Sequence, residues 1–440
     1  MRALTFKQGV HPEYHKNLTR KKSLQQARRP ERVAVSLQQH IGAPCKPLVE
    51  KGDHVDPGKK IGDTESFVSA PVHAPISGTV AEITGIVNPN GSRSQAVVIE
   101  ADEEDGELVK LTAGSNPDEM TADELRKIIR EAGITGMGGA MFPTHVKLSV
   151  PEDKNVEYLI INGAECEPYL TVDERLMIER PDNILQGMKF LMRALEVKKG
   201  IIGIEDNKPE AIAEMQKVVS GEKNITVQVL EAKYPQGGEK MLIKALLDRE
   251  VPEEGLPLDV GVVVNNVSTA AAVKDAVVEG KPLLERAVSI TGKGISNPCN
   301  LICKIGTSVG ELIEQAGGFS GRSGKIVLGG PMMGVAQKDL QVPIVKGTSG
   351  ILVIPEGEVG DHEPLPCIGC SRCVDSCPML LQPVRLANLS KQEDYEKLEK
   401  NKVLSCVECG SCSYICPAKR PLLHYIKMGK GEVMARRKNS

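Results

Sequence analysis

The chain lacks an excess of charge of either sign: 55 lysines and arginines face 58 aspartates and glutamates over 440 residues, a formal net charge of −3. A general nucleic-acid binder needs a basic surplus, so no nucleic-acid partner is expected. Long apolar runs are also missing. No stretch approaches the roughly 18 to 20 uninterrupted apolar residues that cross a bilayer, and the N-terminus has no apolar signal-peptide core. The chain is therefore expected on the cytoplasmic side, where a disulfide framework is disfavoured and closely spaced cysteines read as metal ligands or redox groups. The 43 glycines and 28 prolines argue against an all-helical bundle. Charge is nonetheless uneven, with nine basic residues in 1–32 against Glu13 and Glu31, and five in 427–440 against Glu432. Both ends are expected as solvated basic tails, with docking to an acidic protein or membrane surface as the alternative.

At 440 residues more than one folding unit is expected. Short β-prone pieces punctuated by Gly and Pro over 47–80 predict a small β module, with turns at Gly52-Asp53, Pro57-Gly58 and Pro75 to Gly78. It resembles a biotinyl/lipoyl-type sandwich, but Ser69 and Ala70 stand where an attachment lysine would be. The acidic stretch 102–107 reads as a surface turn. A helix is predicted over 123–132, capped by Thr121 and Glu124 in a T-x-x-E box and stopped by Gly133. A βα rhythm follows, with strands at 158–162, 200–205, 225–230 and 261–264 and helices at 183–195, 209–219, 239–247 and 268–278. That alternation predicts an α/β layer with a largely parallel sheet. A smaller α+β module is predicted from 286–291, 308–315 and 326–328.

Twelve cysteines are present, and eight of them fall in two copies of C-x2-C-x2-C-x3-C-P: Cys367, Cys370, Cys373 and Cys377, then Cys406, Cys409, Cys412 and Cys416. Three such thiolates can wrap three corners of a cuboidal iron–sulfur cluster; a pair of structural zinc sites is the weaker alternative. The runs resemble bacterial two-[4Fe-4S] ferredoxins over 366–424. That resemblance implies crossed ligand sets, Cys367, Cys370, Cys373 with Cys416 and Cys406, Cys409, Cys412 with Cys377, and one-electron transfer. Cys45, Cys166, Cys299 and Cys303 form no further tetrad; for Cys299 and Cys303 structural packing is the expectation, with a meeting on one helical turn as the alternative.

The segment 133–144 is too glycine-rich for a helix, and its exposed amides suit an anionic cofactor, with Lys147 as a nearby point charge. Glu165 and Glu167 near one strand end, Tyr234 to Lys240 at a helix start, and Asn265, Asn266 and Thr269 after another strand are expected to line the same crevice. Across 6–425 the chain resembles the C subunit of Rnf/Rsx ion-translocating electron-transport complexes. Its centre is similar to the flavin and NADH-binding subunit of respiratory complex I, and 286–318 resembles an SLBB module. The resemblance places Gly136, Gly138, Gly139, Phe142, Pro143 and Lys147 on the flavin-site loop, Asn162 and Glu165 on the next, Asn265, Asn266 and Thr269 on the later asparagine motif, and Tyr234 and Glu239 on the dinucleotide side. It implies noncovalent FMN, NAD(H) as substrate, integral-membrane and other subunits as partners with ferredoxin as electron partner, and a peripheral location on the cytoplasmic face of the bacterial cell membrane. No catalytic protein base is assigned.

The expected architecture is multidomain α/β and α+β: a basic lead and barrel-sandwich-like β module (1–110), a flavin/NADH-binding-like α/β domain (111–280), an SLBB-like α+β module (281–355), a ferredoxin-like two-cluster domain (356–425) and a basic tail (426–440). The other functional class compatible with these residues is a non-enzymatic iron–sulfur carrier and assembly scaffold. Met137, Met141, Ala164 and Cys166 depart from the residue types common in the related complex I loops, and those departures motivate it.

Overall fold

In the computed structural model, which describes residues 3–104, 106–112, 116–360 and 363–439, the chain runs through four modules. Met1 and Arg2 of the basic lead, Asp105 of the acidic stretch and Ser440 of the basic tail lie outside the described residues, as do 113–115 and 361–362. The first module is a pair of small antiparallel sheets. Val33 and Val35 of the strand Arg32–Ser36 turn inward while Arg32 stays exposed, the period-two pattern of a half-buried strand. They meet Val55, Ile61, Ile76, Val97 and Ile99 in one core. Ser69 and Ala70 are buried there, so that turn presents no exposed attachment point.

The central module is a four-stranded, wholly parallel sheet in the order Ile225–Leu230, Lys199–Glu205, Tyr158–Gly163, Val262–Asn266. Its leading helix, Ala122–Glu131, begins at the predicted capping box: Thr121 Oγ1 accepts from the Glu124 amide and the Glu124 carboxylate accepts from the Thr121 amide. Leu125, Ile128 and Ile129 form its buried face. Helices Pro181–Ala194 and Val267–Glu279 cross closely because Gly187 has no side chain; a Cβ there would lie 1.7 Å from the Ala270 carbonyl oxygen. The chain leaves Tyr158–Gly163 for one side of the sheet, and Val262–Asn266 lies on the other. The strand order therefore switches between these two paired strands, and open α/β sheets form their ligand crevices at the carboxyl ends of such a pair.

The third module is a six-stranded sheet in the order Leu24–Gln26, Cys299–Lys304, Glu285–Thr291, Gly350–Pro355, Ser323–Leu328, Val335–Gln337, backed by the helix Val309–Gln315 capped by Ser308. Cys299 and Cys303 lie on a strand paired antiparallel to Glu285–Thr291, not on a helical turn. Their spacing of four suits a helix, but pairing with the preceding strand on one side and with Leu24–Gln26 on the other decides the conformation.

Neither end is a free tail. Leu24–Gln26 pairs in parallel with Cys299–Lys304, Leu4 bridges to Leu230, and Val10 exchanges both backbone hydrogen bonds with Tyr234 at 2.8 Å. Lys16 is fully buried and donates to the carbonyls of Glu165, Glu167 and Leu170. At the other end the helix Leu422–Asn439 runs through the expected tail. There Arg437 pairs with Glu254 at 2.8 Å and Glu399 at 2.5 Å, fastening the C-terminal module to the central one. Several of these charges are matched to a carbonyl or a carboxylate, Lys16, Arg20, Lys22, Lys430 and Arg437 among them, an arrangement net-charge counting does not see. Among the described residues no helix is long and apolar enough to cross a membrane.

Candidate functional site

A cavity of about 700 Å³ opens at the carboxyl ends of the strands Tyr158–Gly163 and Val262–Asn266. Its floor is the glycine-rich loop. Gly133 stops the preceding helix with φ at +67°, the Gly136 amide donates to the Phe142 carbonyl at 2.8 Å, and the Met141 amide returns to Gly136 at 3.1 Å. That closed loop turns Gly136, Gly138, Gly139 and Phe142 toward the cavity. At Gly139, with φ at +104°, an added Cβ would meet nothing within 4 Å, so its backbone faces open space. Pro143 and Thr269 sit behind this wall: Pro143 precedes the short helix Thr144–Leu148, and the Thr269 hydroxyl accepts from the Met137 amide at 3.0 Å.

Asn162 and Asn266 are cross-strand partners at the carboxyl edge of the sheet. Asn162 Nδ2 donates to the Gly237 carbonyl at 2.9 Å, and Asn266 Nδ2 donates to Asp173 at 2.7 Å. Glu165 lines the cavity, yet its carboxylate accepts from the amides of Asp173 and Glu174, capping the helix Val172–Glu179, and lies 3.9 Å from Lys16 Nζ. Burial pushes its carboxyl up to about 7 against the pull of Lys16. Lys147 is committed as well: it donates to Glu239 and to the Val264 carbonyl, each at 3.1 Å. Cys166 accepts from the Gly237 amide at 3.2 Å, and burial drives its thiol upward, which keeps it neutral.

Asn265 stands apart. It is 3% exposed, lines the cavity, and neither side-chain polar atom has a partner. A buried amide with all its hydrogen bonds unmade is costly unless a ligand completes them. Together with the open Gly139 backbone and a volume suited to a nucleotide-sized ligand, this fits FMN.

Several lining residues come from elements that sequence reasoning did not assign to the site. Asp173 accepts from Asn266 and from Ser268 Oγ at 2.8 Å; it starts a helix that the βα pattern left unpredicted. Asn88, Pro89 and Asn90 reach in from the N-terminal module, and no local pattern announces them. The turn at Gly329, Gly330, Met333 and Gly334 reaches in from the six-stranded module, where its glycine cluster is a legible turn signal. Glu167 ties that turn down, accepting from the amides of Met332 at 3.1 Å and Met333 at 2.8 Å.

The two cysteine runs adopt one backbone pattern twice. Gly369, Ser371 and Leu380 have φ of +68°, +59° and +57°, and their counterparts Glu408, Gly410 and Lys419 have +57°, +81° and +49°. Left-handed residues at non-glycine positions are uncommon, so their repetition at matching places marks two equivalent loops. A small cavity of about 20 Å³ is lined by Cys377, Cys406, Cys409 and Cys412, the crossed set, which fits a cluster held by those four thiolates. Cys373 and Cys416 of the other set are half-buried, whereas Cys367 and Cys370 are exposed. Val407 and Cys409 line both the small cavity and the large one, and Tyr234, which also lines the large cavity, donates its hydroxyl to the Cys409 carbonyl at 2.7 Å.

Family models match the chain in four consecutive pieces: an RnfC barrel sandwich hybrid domain at 4–104, a Nuo51 FMN-binding domain at 129–275, an SLBB domain at 287–336 and a 4Fe-4S dicluster domain at 361–417. Among solved structures, the NAD+-reducing [NiFe]-hydrogenase in its H2-reduced state shares the fold with a TM-score of 0.51 at 19% identity, over 73% of this chain and 61% of that one. The C subunit of the Na+-translocating ferredoxin:NAD+ oxidoreductase complex of Acetobacterium woodii is 45% identical over 99% of this chain and 98% of its own length. Its counterpart in the proton-translocating complex of Clostridium ljungdahlii is 47% identical over 97% and 94%. With four domains matched in order and full-length identity of this degree, the chain belongs to the family of C subunits of ion-translocating ferredoxin:NAD+ oxidoreductase complexes.

Proposed function

We propose that this chain is the peripheral electron-transfer subunit of a membrane-bound, ion-translocating ferredoxin:NAD+ oxidoreductase, passing electrons between NAD(H), FMN and two [4Fe-4S] clusters. The observation that carries the reading is the shared wall at Val407 and Cys409: one ligand of the second cluster set borders the cavity that fits the flavin. FMN, when bound, supplies the conversion between a two-electron hydride and single electrons.

The chain's own residues hold and orient. Gly136, Gly138, Gly139 and Phe142 form the flavin wall, Pro143 and Thr269 keep that loop in shape, and the orphaned amide of Asn265 recognises polar ring or phosphate atoms. Asn162 positions the loop at Gly237, while Glu165 fixes the helix Val172–Glu179. Tyr234 and Glu239 stand on the dinucleotide side, with Lys147 neutralising Glu239. Cys406, Cys409, Cys412 and Cys377 hold the inner cluster; Cys367, Cys370, Cys373 and Cys416 hold the outer one. The exposure of Cys367 and Cys370 sets the outer cluster toward a partner. Other subunits of the complex, integral-membrane ones among them, and ferredoxin complete the circuit on the cytoplasmic face of the membrane.

Anaerobic purification followed by flavin, iron and acid-labile sulfide analysis tests the reading. About one FMN and about eight each of iron and sulfide per chain are expected for two [4Fe-4S] clusters. Clusters without flavin would favour an iron–sulfur carrier and scaffold, and zinc without sulfide would reject the cluster assignment.

A further inference from the structure

Arg286 lies on the strand Glu285–Thr291 of the six-stranded module, 149 residues from the glycine-rich loop it touches. Its side chain is buried, at 3% exposed. Nη2 donates to the Met137 carbonyl at 3.1 Å, Nη1 to the Met137 sulfur at 3.1 Å, and Nε to the Thr348 carbonyl at 3.2 Å. Met137 is the residue between Gly136 and Gly138, and its amide is held from the opposite side by Thr269. Both the amide and the carbonyl of Met137 are therefore fixed. Thr348 belongs to a second wall of the same cavity, whose neighbour Gly347 packs so tightly on the loop that a Cβ there would lie 2.4 Å from Met141 Cγ. One guanidinium thus ties two walls of the cavity together.

All its bonds end on neutral acceptors. An arginine does not lose its proton in a protein, and burying a charge without a counter-charge is expensive. The acid that acts on it most strongly, Asp173, accepts from Asn266 and Ser268 and not from the guanidinium, so its charge reaches Arg286 only through space. The cavity floor therefore rests on a buried cation with no carboxylate in contact with it among the described residues, balanced only through space by Asp173.

We propose that Arg286 is a positioning residue for the flavin site, shaping the glycine-rich loop through Met137 and supplying the positive field that favours the more anionic, reduced state of the bound cofactor. This rests on the reading that the cavity binds FMN. It gives the six-stranded module a direct part in shaping the flavin site.

The test compares Arg286→Gln and Arg286→Lys with wild type in the full, cluster-loaded chain, measuring FMN affinity by fluorescence quenching and the flavin midpoint potential by spectroelectrochemistry. Loss of charge-assisted hydrogen bonds in Arg286→Gln should weaken FMN binding roughly ten- to a hundredfold. Loss of the charge should also lower reduced-over-oxidised binding about tenfold, equivalent to about 30 mV for a two-electron couple. Arg286→Lys keeps the charge without the planar fork. It should weaken binding while leaving the potential near wild type. Should Arg286→Gln fail to fold, Arg286→Lys decides: wild-type affinity with the fork gone would overturn the proposal. Weaker binding in both variants with an unchanged potential in Arg286→Gln would reduce the residue to a structural role and overturn the field. If wild type itself binds no FMN, the reading of the cavity fails first, an outcome distinct from a wild type that binds and variants that match it.

Discussion

The Tyr234 hydroxyl donates to the Cys409 carbonyl at 2.7 Å, joining the wall of the large cavity to a ligand of the inner cluster set. Tyr234 is fully buried, and its own backbone pairs with Val10 of the N-terminal lead. Three segments far apart in sequence therefore meet where electrons would pass from nucleotide chemistry to iron.

Tyr234→Phe removes this donor and leaves the rest of the ring in place. The unmet carbonyl should destabilise the fold by about 1–3 kcal/mol and, with the positive end of the hydroxyl dipole gone, lower the potential of the inner cluster. Redox-titrated EPR checks this; unchanged potentials for both clusters would contradict it. Iron content should stay at the wild-type level.

Cys377→Ala tests crossed ligation. Although Cys377 belongs to the first run, it lines the cavity formed by Cys406, Cys409 and Cys412. The variant should lose the inner cluster's EPR signal and keep the outer one. Loss confined to the outer cluster would mean that each run holds its own cluster.

Glu167 makes stability depend on pH. Burial raises its carboxyl from an ordinary 4.5 to about 7, against the downward pull of the Met332 and Met333 amides. The folded protein thus favours the neutral acid. Stability from this group is present below about 4.5 and is lost as pH rises through about 7, a change of about 3 kcal/mol. Glu167→Gln cannot titrate, so its melting temperature should fall less than that of wild type between pH 4.5 and 8. Parallel curves would contradict the assignment.

Lys16→Met leaves three buried carbonyls, those of Glu165, Glu167 and Leu170, without their donor. At about 1–3 kcal/mol per unmet group, this should lower the melting temperature strongly and reduce flavin retention, because those residues border the cavity. A variant as stable as wild type would restore the lead to the status of a solvated tail.

Local signals in the sequence carried far, and their limits are physical. The T-x-x-E box at Thr121 and Glu124, the parallel strand cores and the duplicated cysteine spacing all act within a dozen residues, and each appears in the structure where its pattern puts it. Asn265 and Asn266 were legible because they follow a strand core in a parallel sheet, whereas Asn162 came from the family resemblance. What stayed hidden depends on partners distant along the chain. Arg286 reads as an ordinary strand residue until Met137 is placed beside it, and Lys16 reads as a tail charge until three carbonyls surround it. Lys147 looks free for an anion in the sequence and is bonded to Glu239 in the fold. Asp173 was missed because the short helix it begins has only a weak apolar face.

The central claim is that a single chain links nucleotide oxidation to its own clusters across the Val407 and Cys409 wall. The most direct measurement is rapid-freeze EPR of the anaerobically purified, FMN-loaded chain mixed with NADH. Signals of reduced [4Fe-4S] clusters should appear in wild type, and the inner-cluster signal should be lost in Cys377→Ala. Flavin reduced by NADH while both clusters stay oxidised, although low-potential chemical reductant reduces them, would contradict it.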